Sequence, residues 1–359
     1  YNGEWVARIG EGDVKVEYSG KEPIYISERW DLFQKNAEIL IQDFNLITNL
    51  KNTVQLSSTN TIIGNPNLIF LEKGAKVEAS ILNTQEGPIY IGKDAEIMEG
   101  SIVRGPLALC EKSVLKLGSK VYGGTTLGPY CKVGGEVNNV IFQGYSNKGH
   151  DGFIGNSFIG EWCNIGADTN ASNLKNNYGE IKIFSYEKGD FEQTSLQFMG
   201  IFMGDHSKCS INTMFNTATV IGVSCNIFGS QFPPKYISSF TWGMERDVFQ
   251  FDKAIQSANN MMRRRDKQLD KIDISILKHI SVNSFSNKKV MYYNNIKSMQ
   301  NIIDFCIKNR SKLIHISSTS VYGKQAKIVD ENCEKKYLKP QSPYADIKLI
   351  EERMLKKAS

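Results

Sequence analysis

Eight apolar residues fall six apart without a miss: Ile91, Ile97, Val103, Leu109, Leu115, Val121, Leu127 and Val133. A second series repeats the spacing at Met203, Cys209, Phe215, Ile221 and Ile227. An α-helix returns to one face about every 3.6 residues and a half-buried strand about every two, so neither explains a strict six. A coil of short flat strands and tight corners does, because it turns one side chain inward per hexad and lets stacked coils share one apolar core. We therefore expect a mainly β chain whose residues 60–235 form a parallel β-helix with Ile91, Val103, Leu115, Leu127, Met203 and Ile221 inward.

The 359 residues are enough for two or three domains. We divide them into a connector, the tail of a truncated domain, at 1–55, a β-helix at 56–240, a helical extension at 241–289 and an incomplete α/β unit at 290–359. In the connector, Asp13–Tyr18 reads as a strand and Trp30–Phe44 as an amphipathic segment. The hexads are irregular at Ile63 and Ile69. Corners are rich in glycine (Gly92, Gly100, Gly118, Gly128), which fits turns at positive φ. After Ile154, Ile159 and Ile165 the period breaks, and 166–200 reads as a long loop of the kind that is functional or disordered. Residues 247–283 read as helical, anchored by Val248, Phe251, Ile255, Ile272, Ile276 and Ile280, and cover the open end of the coil. Beyond 290 we expect a helix at 298–309, a buried strand at 312–317 and a helix at 343–357, with Pro343 in its first turn.

With 43 Lys+Arg against 38 Asp+Glu, the net charge of +5 gives no basic block for nucleic acid. Arg263, Arg264 and Arg265 read as a solvated helix face. Seven cysteines without a C-x-x-C pair indicate no zinc or redox site and fit a reducing cytoplasm. No apolar run has membrane-spanning length, and the amino end shows no signal sequence. The opening Tyr1 leads us to expect a segment upstream.

Two of four histidines, His150 and His206, lie in the coils. Either could be a corner residue, but His150 stands just before the polar insertion, where an imidazole open to substrate can take a proton. The run Lys148-Gly-His150, Phe153-Ile-Gly155, Ile159-Gly160, Asn164-Ile-Gly-Ala167 and Asn177-Tyr-Gly179 resembles the acetyltransferase half of the GlmU family, which joins glucosamine-1-phosphate acetyltransferase to N-acetylglucosamine-1-phosphate uridylyltransferase. Ser146–Phe153, Ser172–Tyr178 and Ser239–Gly243 resemble GlmU-like sugar nucleotidyltransferases, and the likeness runs over about residues 1–285. It implies a left-handed coil, a homotrimer with sites at subunit boundaries, acetyl-CoA as acyl donor, and a sugar phosphate or nucleotide sugar as partner. By position it makes His150 the general base and gives substrate or acyl-CoA contacts to Lys148, Asn164, Lys175, Asn177, Tyr178 and His206. Two departures stand out: Phe153 replaces a tyrosine, and Glu136 falls near an expected phosphate-binding lysine. The glycine-rich nucleotidyl-transfer loop does not precede Trp5, so this segment is not expected to transfer nucleotides.

Ser317–Gly323 and Ser342–Lys348 resemble NAD-dependent epimerase/dehydratases of the extended short-chain dehydrogenase type. Tyr344 and Lys348, four apart, share a helix face, and the ammonium would lower the phenol pKa; by position Ser318 would bind the substrate oxygen. That family binds its dinucleotide on a Gly-x-x-Gly-x-x-Gly turn opening a βαβ unit. Here the pattern occurs only at Gly149–Gly155, among hexads, so NAD is not expected to bind, and we expect a fragment joined by gene fusion, frameshift or gene-model error. The leading expectation is an acyltransferase. The alternatives are a non-catalytic trimerising scaffold, favoured by Phe153 and Glu136, and an epimerase/dehydratase confined to the tail.

Overall fold

The six-residue period becomes a coil with three flat faces in the computed structural model, which describes residues 23–244, 247–284, 288–309, 311, 313 and 343–358. On the first face, Ile69–Leu71, Ile89–Ile91, Leu107–Leu109 and Thr125–Leu127 stack in parallel, followed by the later halves of Glu136–Gly144 and Phe153–Glu161, then Ile201–Met203, Thr219–Ile221 and Tyr236–Ile237. The second face carries Lys76–Val77, Glu96–Ile97, Val114–Leu115, Lys132–Val133, Asn147–Lys148, Asn164–Ile165, Lys208–Cys209, Asn226–Ile227 and Thr241–Trp242. Thr61–Ile63, Ile81–Asn83, Ile102–Arg104 and Lys120–Val121 begin the third, which the first halves of the two long strands extend.

Every member of both hexad series is buried, and the inward residues form one continuous cluster from Ile69 to Ile237. Burying each aliphatic side chain is worth about 1.5–3 kcal/mol, so this stack dominates stability. The corners explain how the chain turns. Asp94, Lys112, Tyr130, Tyr145, Trp162, His206, Ser224 and Phe240 all have positive φ at the equivalent corner leading into the second face. Gly100 and Gly118 have positive φ as expected, whereas Gly92 and Gly128 are required by crowding, since a side chain there would strike the backbone of the next coil.

Short helices α1 (Asp31–Gln34) and α2 (Asn36–Thr48) lie on the first face. Phe33 packs against Phe202, and Asn36 Nδ2 donates to the Gly124 carbonyl at 2.6 Å. The expected strand at Asp13–Tyr18 lies outside the described residues. The insertion is not the structureless loop expected: Lys182–Ser185 and Asp190–Gln193 pair as an antiparallel hairpin. Ile183 and Phe184 bury themselves beside Phe33, Phe202 and Val220, and this apolar anchor holds the polar segment down.

Two further helices, α3 (Phe251–Met262) and α4 (Lys271–Asn283), cover the corner of Trp162 and Phe240. Their anchors match those expected only in part: Phe251, Ile255 and Ile280 pack against this cluster. Ala254, Ala258, Met262, Leu277 and Ser281 are the buried positions, while Ile272 and Ile276 are 69% and 54% exposed. The capping box of Asp270 and Asp273 fixes where α4 starts. Val248 lies in the short strand Asp247–Val248 instead of a helix. Helix α5 (Lys288–Lys308) is longer than expected, and α6 (Pro343–Ala358) packs on it. Most of the strand expected at 312–317 lies outside the described residues. No described helix is long and apolar enough to cross a membrane.

Candidate functional site

Outward residues of the second face stand in register, Lys132 beside Asn147, Asn147 beside Asn164, and Asn164 beside Lys208. Between this ladder and the end of α3, with the 3-10 turn Arg263–Arg265, lies a groove of about 790 Å³. Its lining includes Lys116, Lys132, His150, Asn164, Lys208, Arg264 and Arg265, and no carboxylate among the described residues. Partial burial pushes the Lys132 ammonium below its ordinary value, and the Arg265, Lys116 and Arg264 cations add to the effect. Burial also lowers Lys208, whose Nζ donates to the His206 carbonyl at 3.0 Å. Like charges held together without a counter-charge make an anion site, and arginine forks suit phosphate oxygens.

Of the residues expected to form a site, His150 and Asn164 meet here, both exposed. Lys148 does not reach the groove's solvent: it takes the inward slot beside Val133 and is 1% exposed. Its Nζ donates to the Gly134 and His150 carbonyls, both at 2.8 Å, so it fastens the corner that carries His150. His206 is a corner residue with φ +60°, buried, its Nδ1 without a hydrogen-bond partner. Burial, aided by Lys208, pushes its pKa down to about 4, so it is neutral near pH 7. Lys175, Asn177 and Tyr178 do not line the groove. They lie on the insertion, where Lys175 Nζ donates to the Glu180 carbonyl and Tyr178 is 67% exposed.

Sequence reasoning missed Lys116, Lys132, Lys208, Arg264 and Arg265. A signal was present, because Lys132 and Lys208 each immediately precede an inward residue of the second face and Lys116 immediately follows one. What the hexads could not show is that the Arg263–Arg265 turn comes back against that face. In the tail, Ser318 and the side chain of Tyr344 lie outside the described residues. Lys348 Nζ forms an ion pair with Glu351 at 2.9 Å.

Lys148 allows a pH test. Burial lowers its pKa to about 8, with Asp151 and Asp168 opposing. Below pH 8 both folded and unfolded chains hold the proton, and the full cost of the buried cation is present. Between about 8 and 10.5 only the unfolded chain holds it, so stability relative to a Lys148→Met variant should rise across that window. The gain is on the order of 3 kcal/mol. Denaturant melts of both proteins at neutral and alkaline pH measure it, and parallel pH dependences would contradict it.

The NAD dependent epimerase/dehydratase family matches residues 269–359, a stretch that begins just ahead of α4. The chain is 30% identical over 118 residues to the bifunctional protein GlmU of Methanocaldococcus jannaschii, covering 33% of this chain and 28% of that protein. It is 30% identical over 165 residues to the bifunctional sugar-1-phosphate nucleotidylyltransferase/acetyltransferase of Sulfurisphaera tokodaii, covering 45% and 40%. The chain thus spans less than half the length of either relative. Among solved structures it is similar to the polysialic acid O-acetyltransferase OatWY, at 13% identity and TM-score 0.23, covering 52% of this chain and 82% of that one. It is also similar to UDP-N-acetylglucosamine acyltransferase from Campylobacter jejuni, at 15% identity and TM-score 0.21, covering 72% and 92%.

Proposed function

We propose that the β-helix is an acyl-CoA-dependent acyltransferase acting on an amino sugar phosphate, with His150 as general base. One observation carries this reading: an exposed imidazole and the Asn164 amide share a groove with five cations and no described carboxylate. The likeness to GlmU-type proteins supports it. In the reaction the amine nitrogen attacks the thioester carbonyl, His150 takes the amine proton, and the C–S bond breaks to release the coenzyme thiol. The cations hold the phosphates that both substrates bring, and Asn164 orients the sugar. Lys175, Asn177 and Tyr178 join the site from a second copy, as a homotrimer with sites at subunit boundaries would allow.

Charge reversal tests the groove's part. Lys132→Glu and Arg264→Glu should each raise KM for the sugar phosphate about tenfold or more while kcat changes little, the loss shrinking as salt is added. Unchanged KM in both variants would remove the groove from the site.

A second reading, a non-catalytic trimerising scaffold, has its own observation. Glu136 and Phe153 are cross-strand partners on the third face, and Glu136 pairs with Lys120 at 3.9 Å, occupying a cation that could otherwise meet phosphate. Failure of the wild-type chain to acylate any amino sugar phosphate would favour it.

A further inference from the structure

A second cleft, of about 500 Å³, shares no lining residue with the groove. It lies where α1, the bend between the third and first faces, and the inserted segment converge, and its size is within the small-molecule range of about 300–1,000 Å³. Its polar lining is mostly amide, with Gln34 from α1, Asn139 and Asn156 from the bend and Gln197 from the insertion, beside the Ser195 hydroxyl. Glu180 is the one ionisable group among the described lining residues, and Phe198, also in the lining, is 49% exposed.

The bend asparagines are held rigidly. Both adopt positive φ, which asparagine tolerates better than most residues. With its amide oriented to satisfy its neighbours, Asn139 donates to the Phe33 and Gly124 carbonyls at 2.7 and 3.2 Å and accepts from Asn156 at 3.2 Å. Asn156 in turn accepts from Asn173 Nδ2 at 2.8 Å. An amide has two N–H groups and two lone pairs. Within these bonds Asn156 keeps one N–H and one lone pair, and Asn139 keeps one lone pair.

We propose that this cleft binds a saccharide, specifically a neutral hexose or N-acylhexosamine unit. Vicinal hydroxyls both donate and accept, and fixed amides answer both demands at little entropic cost. The exposed phenyl ring covers the apolar C–H face of a pyranose, and the Glu180 carboxylate accepts from hydroxyls. With a carboxylate and no cation among the described lining residues, the cleft disfavours phosphorylated sugars, the opposite of the groove. The inference stands independently of the acyl-transfer reading.

Saturation-transfer NMR on the full chain, with N-acetylglucosamine, its β-1,4 dimer and glucose as probes, tests it. We expect transfer to ring protons with millimolar affinity, weakened about tenfold or more in Phe198→Ala and Gln197→Ala and unchanged in Lys132→Glu. Thermal melts check folding; should Phe198→Ala not fold, Gln34→Ala at an exposed α1 position takes its place. No transfer to any of the probes would overturn the proposal. So would transfer that survives every cleft variant, or transfer lost in Lys132→Glu, which would place the sugar in the groove.

Discussion

Replacing Leu115 by Asp should abolish cooperative folding. Leu115 is fully buried on the second face, paired in register with Ile97 on one side and Val133 on the other. The substitution removes about 2–3 kcal/mol of apolar burial. It also leaves a carboxylate with no partner in an aliphatic stack, which costs several kcal/mol more whether it stays charged or takes up a proton. Together these approach the whole stability of a typical domain, about 5–15 kcal/mol. The control is two residues away: Leu117 is 66% exposed, so Leu117→Asp should shift stability by no more than about 0.5 kcal/mol. Circular dichroism melts of both variants decide the matter, and a Leu115→Asp protein melting like the wild type would overturn the inward register.

His150→Ala should lower acyl-transfer turnover by about 10²- to 10⁴-fold, the usual worth of a positioned base. KM for both substrates should stay within a few fold, because the groove cations remain. The fold should be untouched: the side chain is exposed, and the corner is held through the His150 carbonyl, which alanine keeps for Lys148. Steady-state rates beside a thermal melt separate the two effects. Full turnover would remove His150 as the base, and a collapsed melt would mean its side chain serves the fold.

The coil was legible because its rule is local and repetitive: one inward apolar residue per hexad places Ile91 through Val133 and Met203 through Ile227 without reference to anything distant. It failed where the chain departs from that rule. Lys148 occupies an inward slot that hexad logic reserves for aliphatics, because its ammonium finds two backbone carbonyls at the corner. The insertion looked structureless because its apolar anchors, Ile183 and Phe184, are few and follow no period. On α4, Ile280 packs inward as expected but Ile272 and Ile276 face outward, since propensity does not say which stripe meets the coil. His150 and Asn164 could be placed together by motif, but the cations around them could not. Lys132 and Lys208 lie far apart in sequence and become neighbours of Arg264 and Arg265 only when the C-terminal turn folds back.

The most direct test of acyl transfer is a coupled assay on the wild-type chain with acetyl-CoA and a panel of amino sugar phosphates, following free thiol and N-acetylated product together. Thiol and product should appear in equal amounts with at least one phosphorylated amino sugar, and the matching unphosphorylated sugar should be a far poorer acceptor. Thiol release without N-acetylated product, or no turnover with any member of the panel, would contradict the acyltransferase reading.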